Sequence, residues 1–105
     1  MIKAEQQTKA KDIPPDSASD LGLQIIVLDR GWVYVGNVQL ISDFYLIHDA
    51  CCIRRWGTTK GLGQLATDGP LENTQLDPSP LVRVERRAVL FLIQCRKQSW
   101  RRYSS

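Results

Sequence analysis

The sequence predicts a mainly β fold: a small antiparallel sheet of five or six strands, or a partly open barrel, carrying one short helix. Three observations predict it. Leu21–Leu28, Trp32–Ile41 and Phe44–Ile53 are apolar, β-branched runs separated only by short turns, the signature of an antiparallel meander. One stretch alone has a 3.6-residue period, with Leu62, Leu65 and Ala66 spaced i, i+3, i+4. No other segment offers a helix long enough for a parallel crossover unit.

The first run, LGLQIIVL, ends at Asp29-Arg30-Gly31, which is turn chemistry. In the second, Val33 and Val35 point to one face while Trp32 and Tyr34 point to the other. Gly36 inside that run predicts a bulge or a close backbone approach. Ser42-Asp43 makes the next turn. After Trp56, Thr58 or Thr59 is positioned to cap the helix, and Gly69-Pro70 stops it. Leu71–Pro80 reads mostly as loop. Leu81–Glu85 alternates Val82 and Val84 inward with Arg83 and Glu85 outward, and Arg86-Arg87 forms a bend before a last, more buried strand at Ala88–Cys95.

The 105-residue chain divides into a polar tail at 1–20, expected to be disordered, a β domain at 21–98 and a basic tail at 99–105. No apolar h-region follows the early lysines. The longest apolar run, Ala88–Ile93, falls far short of the ~20 residues that span a bilayer. A soluble, cytoplasmic protein with no membrane partner is the expectation. A fold this small gains from self-association, so a homo-oligomer is expected.

The net charge of +3 is unevenly spread. Residues 1–20 carry −1 and residues 21–80 carry −2, whereas residues 81–105 set seven cations against Glu85 for +6. An anionic partner is drawn to that last quarter. Its end, RKQSWRRYSS, interleaves Arg96, Lys97, Arg101 and Arg102 with Trp100 and Tyr103, a pattern that suits single-stranded nucleic acid. The alternative is a basic segment whose Trp100 docks on the sheet or on a neighbouring subunit.

A second candidate site lies at Arg54, Arg55, Trp56, Lys60, Gly61 and Gly63. Backbone amides at a glycine-led helix start attract anions, arginines grip phosphate oxygens in pairs, and an indole stacks on a base. The ligand class is nucleotide-like. Gly61-Leu62-Gly63-Gln64-Leu65-Ala66 has the letters of a dinucleotide fingerprint, but its helix is too short and no parallel strand follows. The phosphate-loop pattern ending in Gly-Lys-Ser/Thr is absent.

His48, Cys51, Cys52 and Cys95 are the soft ligands present. Adjacent cysteines in a strand face opposite ways and their spacing fits no zinc pattern, so neither a metal nor a cofactor is expected. With one histidine and no carboxylate pair, the chain reads as a non-enzyme.

From Asp49 to Gly69 the chain resembles a family of small, uncharacterised phage and prophage proteins. The resemblance rests on Asp49-Ala50, Ile53, Trp56, Leu62, Leu65-Ala66 and Gly69, preceded by Gly31, Val33, Val35 and Gly36, and extends in outline over residues 23–95. The chain departs from the pattern at Cys51-Cys52, where that family tends to have arginines, and at Arg54-Arg55, where it tends to have aromatics. The resemblance implies a phage-type accessory protein with a compact β fold. Small size, the lack of catalytic groups and the phosphate-friendly turn add the expectation of a homo-oligomer that binds an anionic, nucleotide-like ligand, such as a host defence signal. The alternatives are nucleic-acid binding by the basic quarter, or a protein-binding inhibitor or small virion component that uses Trp32, Tyr34 and the sheet edges.

Overall fold

The computed structural model describes residues 18–103 and is mainly β. Six strands, β1 (Ser19–Leu28), β2 (Val33–Ile41), β3 (Phe44–Arg55), β4 (Gln75–Pro78), β5 (Val82–Glu85) and β6 (Val89–Gln94), form one antiparallel sheet that does not close. The order across it is β4-β3-β2-β1-β6, and β5 shares the outer edge of β3 with β4. The helix α1 (Leu62–Asp68) connects β3 to β4. The expected tail at 1–20 falls mostly outside the described residues, and Ser19 and Asp20 already belong to β1.

Burial on both sides of the sheet follows from strand alternation. On the helix side, Ile25, Val27, Val33, Val35, Cys51 and Ile53 pack against Leu62, Leu65 and Ala66 of α1 and against Trp100 and Tyr103. On the other side, Ile26, Leu28, Val38, Tyr45, Ile47, Ala50 and Val84 form a second cluster. One strand feeds both cores because neighbouring residues point oppositely.

Strand β3 changes faces midway. Tyr45 and Ile47 join the second core, yet Cys51 and Ile53 join the first. The switch is a bulge: the pairs Val35↔Cys51 and Asn37↔His48 set three steps of β3 against two of β2. Asp49 takes a left-handed backbone there, with φ 53. Gly36 lies against this bulge, and a Cβ added to it would sit 2.6 Å from Ile47 Cγ2 and 2.7 Å from the His48 carbonyl. The close approach expected at Gly36 is therefore real, while the extra residue belongs to the strand opposite.

Four local expectations need correction. The helix starts after Gly61, at φ 92, and has no side-chain cap from Thr58 or Thr59. The 71–80 stretch contains β4, because Gln75–Pro78 pairs with β3 despite its prolines. Residues 99–103 are part of the packed domain and not a separate tail, since Trp100 and Tyr103 are core residues. The last strand is a half-open sheet edge, with Leu90 62% and Phe91 49% exposed.

Candidate binding surface

The residues between β3 and α1 are tied together by short-range bonds. The Gly61 N–H donates to Thr58 Oγ1 (3.1 Å), and the Thr58 hydroxyl lies 3.0 Å from the Gly61 carbonyl. The Lys60 and Thr59 N–H groups both donate to Gln64 Oε1, at 2.8 and 3.1 Å, with the Thr59 hydroxyl at 3.3 Å. Gln64 thus reaches back from the third helical position and puts its own carbonyl oxygen where an anion would sit. Sequence reasoning missed this residue, although a Gln three places after a helix start is the signal for it. At Gly61 glycine is required by the positive φ, and Gly63 is exposed with open space around it.

The side chains of the same stretch are exposed to different degrees. Arg54 Nη1 lies 3.3 Å from Asp77 Oδ2 of β4, with both side chains exposed, so the pair contributes little to stability. Arg55 and Lys60 are exposed, and neither joins an ion pair among the described residues. Trp56 is 43% exposed, so it is no core anchor. Its carbonyl accepts from the Thr74 hydroxyl (2.7 Å), while its ring faces solvent.

The basic C-terminal segment divides by residue type. Trp100 is fully buried, with Nε1 donating to the Ala66 carbonyl (3.1 Å) at the end of α1. The buried Tyr103 hydroxyl donates to the carbonyl of Asp49 in the β3 bulge (2.6 Å). A Cβ on Gly69 would overlap the Ser99 carbonyl, so the segment lies directly on the helix end. Neither aromatic ring is available to stack on a base, which corrects the single-stranded nucleic-acid expectation for Trp100 and Tyr103. Arg96, Lys97, Arg101 and Arg102 remain exposed. Arg102 lies 6.0 Å over the Tyr103 ring.

Little nucleophilic chemistry is assembled elsewhere. His48 Nε2 is 2.7 Å from Gln39 Oε1 on the neighbouring strand. Burial pushes the Cys95 thiol up to about 12 and raises the Cys52 thiol as well, opposite to the activation a thiolate nucleophile requires. Among the described residues, no three His, Cys, Asp or Glu side chains cluster as metal ligands. No described helix is long and apolar enough to cross a membrane.

Two surface features were not foreseen. A groove of about 720 Å³ is lined by Asp43, Phe44, Glu85, Arg86 and Arg87. The last two belong to a 3-10 turn, Arg86–Ala88, that runs directly into β6. The second feature is β6 itself. Among the described residues it pairs only with β1, through Ile25↔Ile93, Ile26↔Leu92 and Val27↔Phe91, and bulges at Leu90. The arginines before it and the Arg96-Lys97 pair after it were the available signal, since charges commonly flank an apolar edge.

No protein-family model matches the chain, and no curated protein matches it either.

Proposed function

We propose that this is a non-enzymatic, phage-type accessory protein that acts by binding another protein through its surface. The observation that carries this reading is the set of large apolar side chains left in solvent, namely Trp32, Trp56, Leu71, Leu81, Leu90 and Phe91. They are spread over several elements, and only Leu90 and Phe91 are neighbours in the chain, on the edge strand β6, where adjacent exposed apolar side chains suit contact with a macromolecule. The phage-type assignment rests on the sequence resemblance alone.

The test is recovery of a partner from host lysate by the wild-type protein and by a Leu90→Lys, Phe91→Lys variant. A stoichiometric polypeptide held by the first and lost by the second supports the reading. A polypeptide held equally by both supports protein binding but moves the contact away from β6, and no polypeptide at all overturns the reading.

A second reading is favoured by one observation. Arg55 and Lys60, without ion pairs among the described residues, lie one and four positions along the chain from the part-exposed Trp56. Two cations beside an indole suit a nucleotide-like anion, with a second copy of the chain completing a homo-oligomeric site. Side chains would do this work, because the amides of Lys60 and Gly61 are already engaged. Calorimetry against linear and cyclic nucleotides, with scattering mass on the same sample, tests it. Heat lost on Arg55→Ala and Lys60→Ala supports the site, and no heat with wild type ends it.

A further inference from the structure

We propose that the open side of β6 is a strand-addition site for an extended, acidic segment of a partner protein. This deepens the protein-binding reading above and rests on it. The backbone supplies the first part of the argument. Cys95 N–H donates to the Leu23 carbonyl at 3.0 Å. That fixes which β6 residues bond inward to β1: Cys95, Ile93 and Phe91, opposite Leu23, Ile25 and Val27. The alternate residues, Leu92 and Gln94, therefore turn their N–H and C=O groups away from the sheet, where no described strand pairs with them. An incoming strand meets donors and acceptors already in register.

Side chains supply the second part. Leu90 and Phe91 stand in solvent on this strand, so apolar residues of an added strand have something to cover. Charge then selects the partner. Arg86 and Arg87 precede β6, and Arg96 and Lys97 follow it, all of them exposed. Two acids, Asp43 and Glu85, line the same groove as Arg86 and Arg87, and Glu85 lies 3.2 Å from Arg87, so Arg96 and Lys97 are the less compensated cations. A six-residue strand is about 20 Å long, against a screening length of about 8 Å at physiological salt. The two ends therefore act independently, and the Arg96-Lys97 end is the one that most favours an acidic group.

The same charges argue against a second copy on this edge. Two-fold antiparallel pairing would set Arg86 and Arg87 of one copy against Arg96 and Lys97 of the other, within the screening length. An acidic segment avoids both repulsions and is attracted at the Arg96-Lys97 end. The groove beside Arg86 and Arg87 adjoins the start of β6, and with Asp43, Glu85 and Phe44 also lining it, it suits an uncharged flank of such a segment, the acidic group lying at the Arg96-Lys97 end.

The experiment is selection of 12-residue peptides from a random library on the full-length protein. Isolated peptides are then measured against wild type, a Gln94→Pro variant and an Arg87→Glu, Lys97→Glu variant. Proline at 94 removes only an outward N–H, since that amide does not bond to β1. The charge reversal keeps the test valid if the proline variant fails to fold.

Expected are peptides with apolar residues at alternate positions and Asp or Glu at the end that meets Arg96 and Lys97. Their affinity should fall tenfold or more on Gln94→Pro and on the charge reversal, with slower amide exchange at 89–94 in the complex. Binders without acidic residues, or acidic binders equally tight on both variants, overturn the β6 proposal and leave the protein-binding reading standing. Absence of any binder overturns the β6 proposal, and the lysate recovery decides the protein-binding reading separately. Tighter binding of a 20-nucleotide single-stranded DNA than of every selected peptide, lost on Arg87→Glu, Lys97→Glu, overturns the proposal in favour of nucleic acid.

Discussion

Gly36, Asp49 and Tyr103 act on one another at the β3 bulge although they are far apart in sequence. The bulge bends β3 at Asp49, the absence of a Cβ at Gly36 lets the backbone come close, and the Tyr103 hydroxyl caps the freed carbonyl. A Gly36→Ala side chain would meet the His48 backbone carbonyl at 2.7 Å, and backbone cannot rotate away as a side chain can. Overpacking of this kind costs about 2 kcal/mol, a large share for a small domain. Urea unfolding of Gly36→Ala is expected to show a lower midpoint with an unchanged slope.

A second consequence at this scale concerns pH. Burial lifts the Cys95 thiol from 9.0 to about 12, and Tyr103 is raised from its ordinary value by the same cause, with Cys51 beside it adding to the effect. Above pH 9 the unfolded chain sheds protons that the folded chain keeps, so stability is full below that pH and falls between about 9 and 12. Denaturation measured at pH 8 and pH 11 should show this loss, and Cys95→Ala should make it smaller.

Among the elements, the first three strands and the helix were legible because each has one dominant periodicity. Leu62, Leu65 and Ala66 lie on one helix face and are buried together, as their spacing required. What was not legible depended on partners distant in the chain. Alternation could not assign the faces of β3, because one extra residue at Asp49 reverses the pattern after Ile47. β4 carries two weak strand formers and a proline, and only pairing with β3 makes Gln75–Pro78 a strand. β6 read as buried because Val89–Ile93 is apolar throughout, and composition does not say which strand is outermost.

The site was legible in part: Arg55, Trp56 and Lys60 are on the surface, but Gln64 occupies the backbone donors beside them. The C-terminal segment gives the sharpest test at this scale. Trp100 fills the helix-side core and bonds the end of α1, and deletion of a buried Trp side chain alone costs about 3–5 kcal/mol. Truncation after Ser99 should abolish cooperative thermal unfolding followed by circular dichroism. A chain whose last residues were only a solvated basic tail would unfold unchanged.

Over the whole molecule, the sheet has two unlike edges. One is made of two short strands, β4 and β5, and carries the Arg54–Asp77 pair. The other is the apolar β6, with cations at both ends. Four of the seven cations in residues 81–105 flank β6 in the chain, while residues 21–80 carry a net −2. Such a distribution orients an acidic partner during approach and makes its capture depend on ionic strength.

The magnitude follows from screening. Raising salt from 0.1 to 1 M shortens the screening length from about 10 to about 3 Å. That removes the pull of the exposed guanidinium groups and leaves the backbone bonds and apolar cover of an added strand in place. Binding of an acidic peptide, followed by fluorescence anisotropy, should accordingly weaken about tenfold over that range and then level off. Arg54→Ala, on the far edge, should leave the whole curve where it is. A curve that falls without limit would mean the cations alone hold the partner. One that never falls would mean that the charge around β6 guards the edge against chance pairing and recruits nothing.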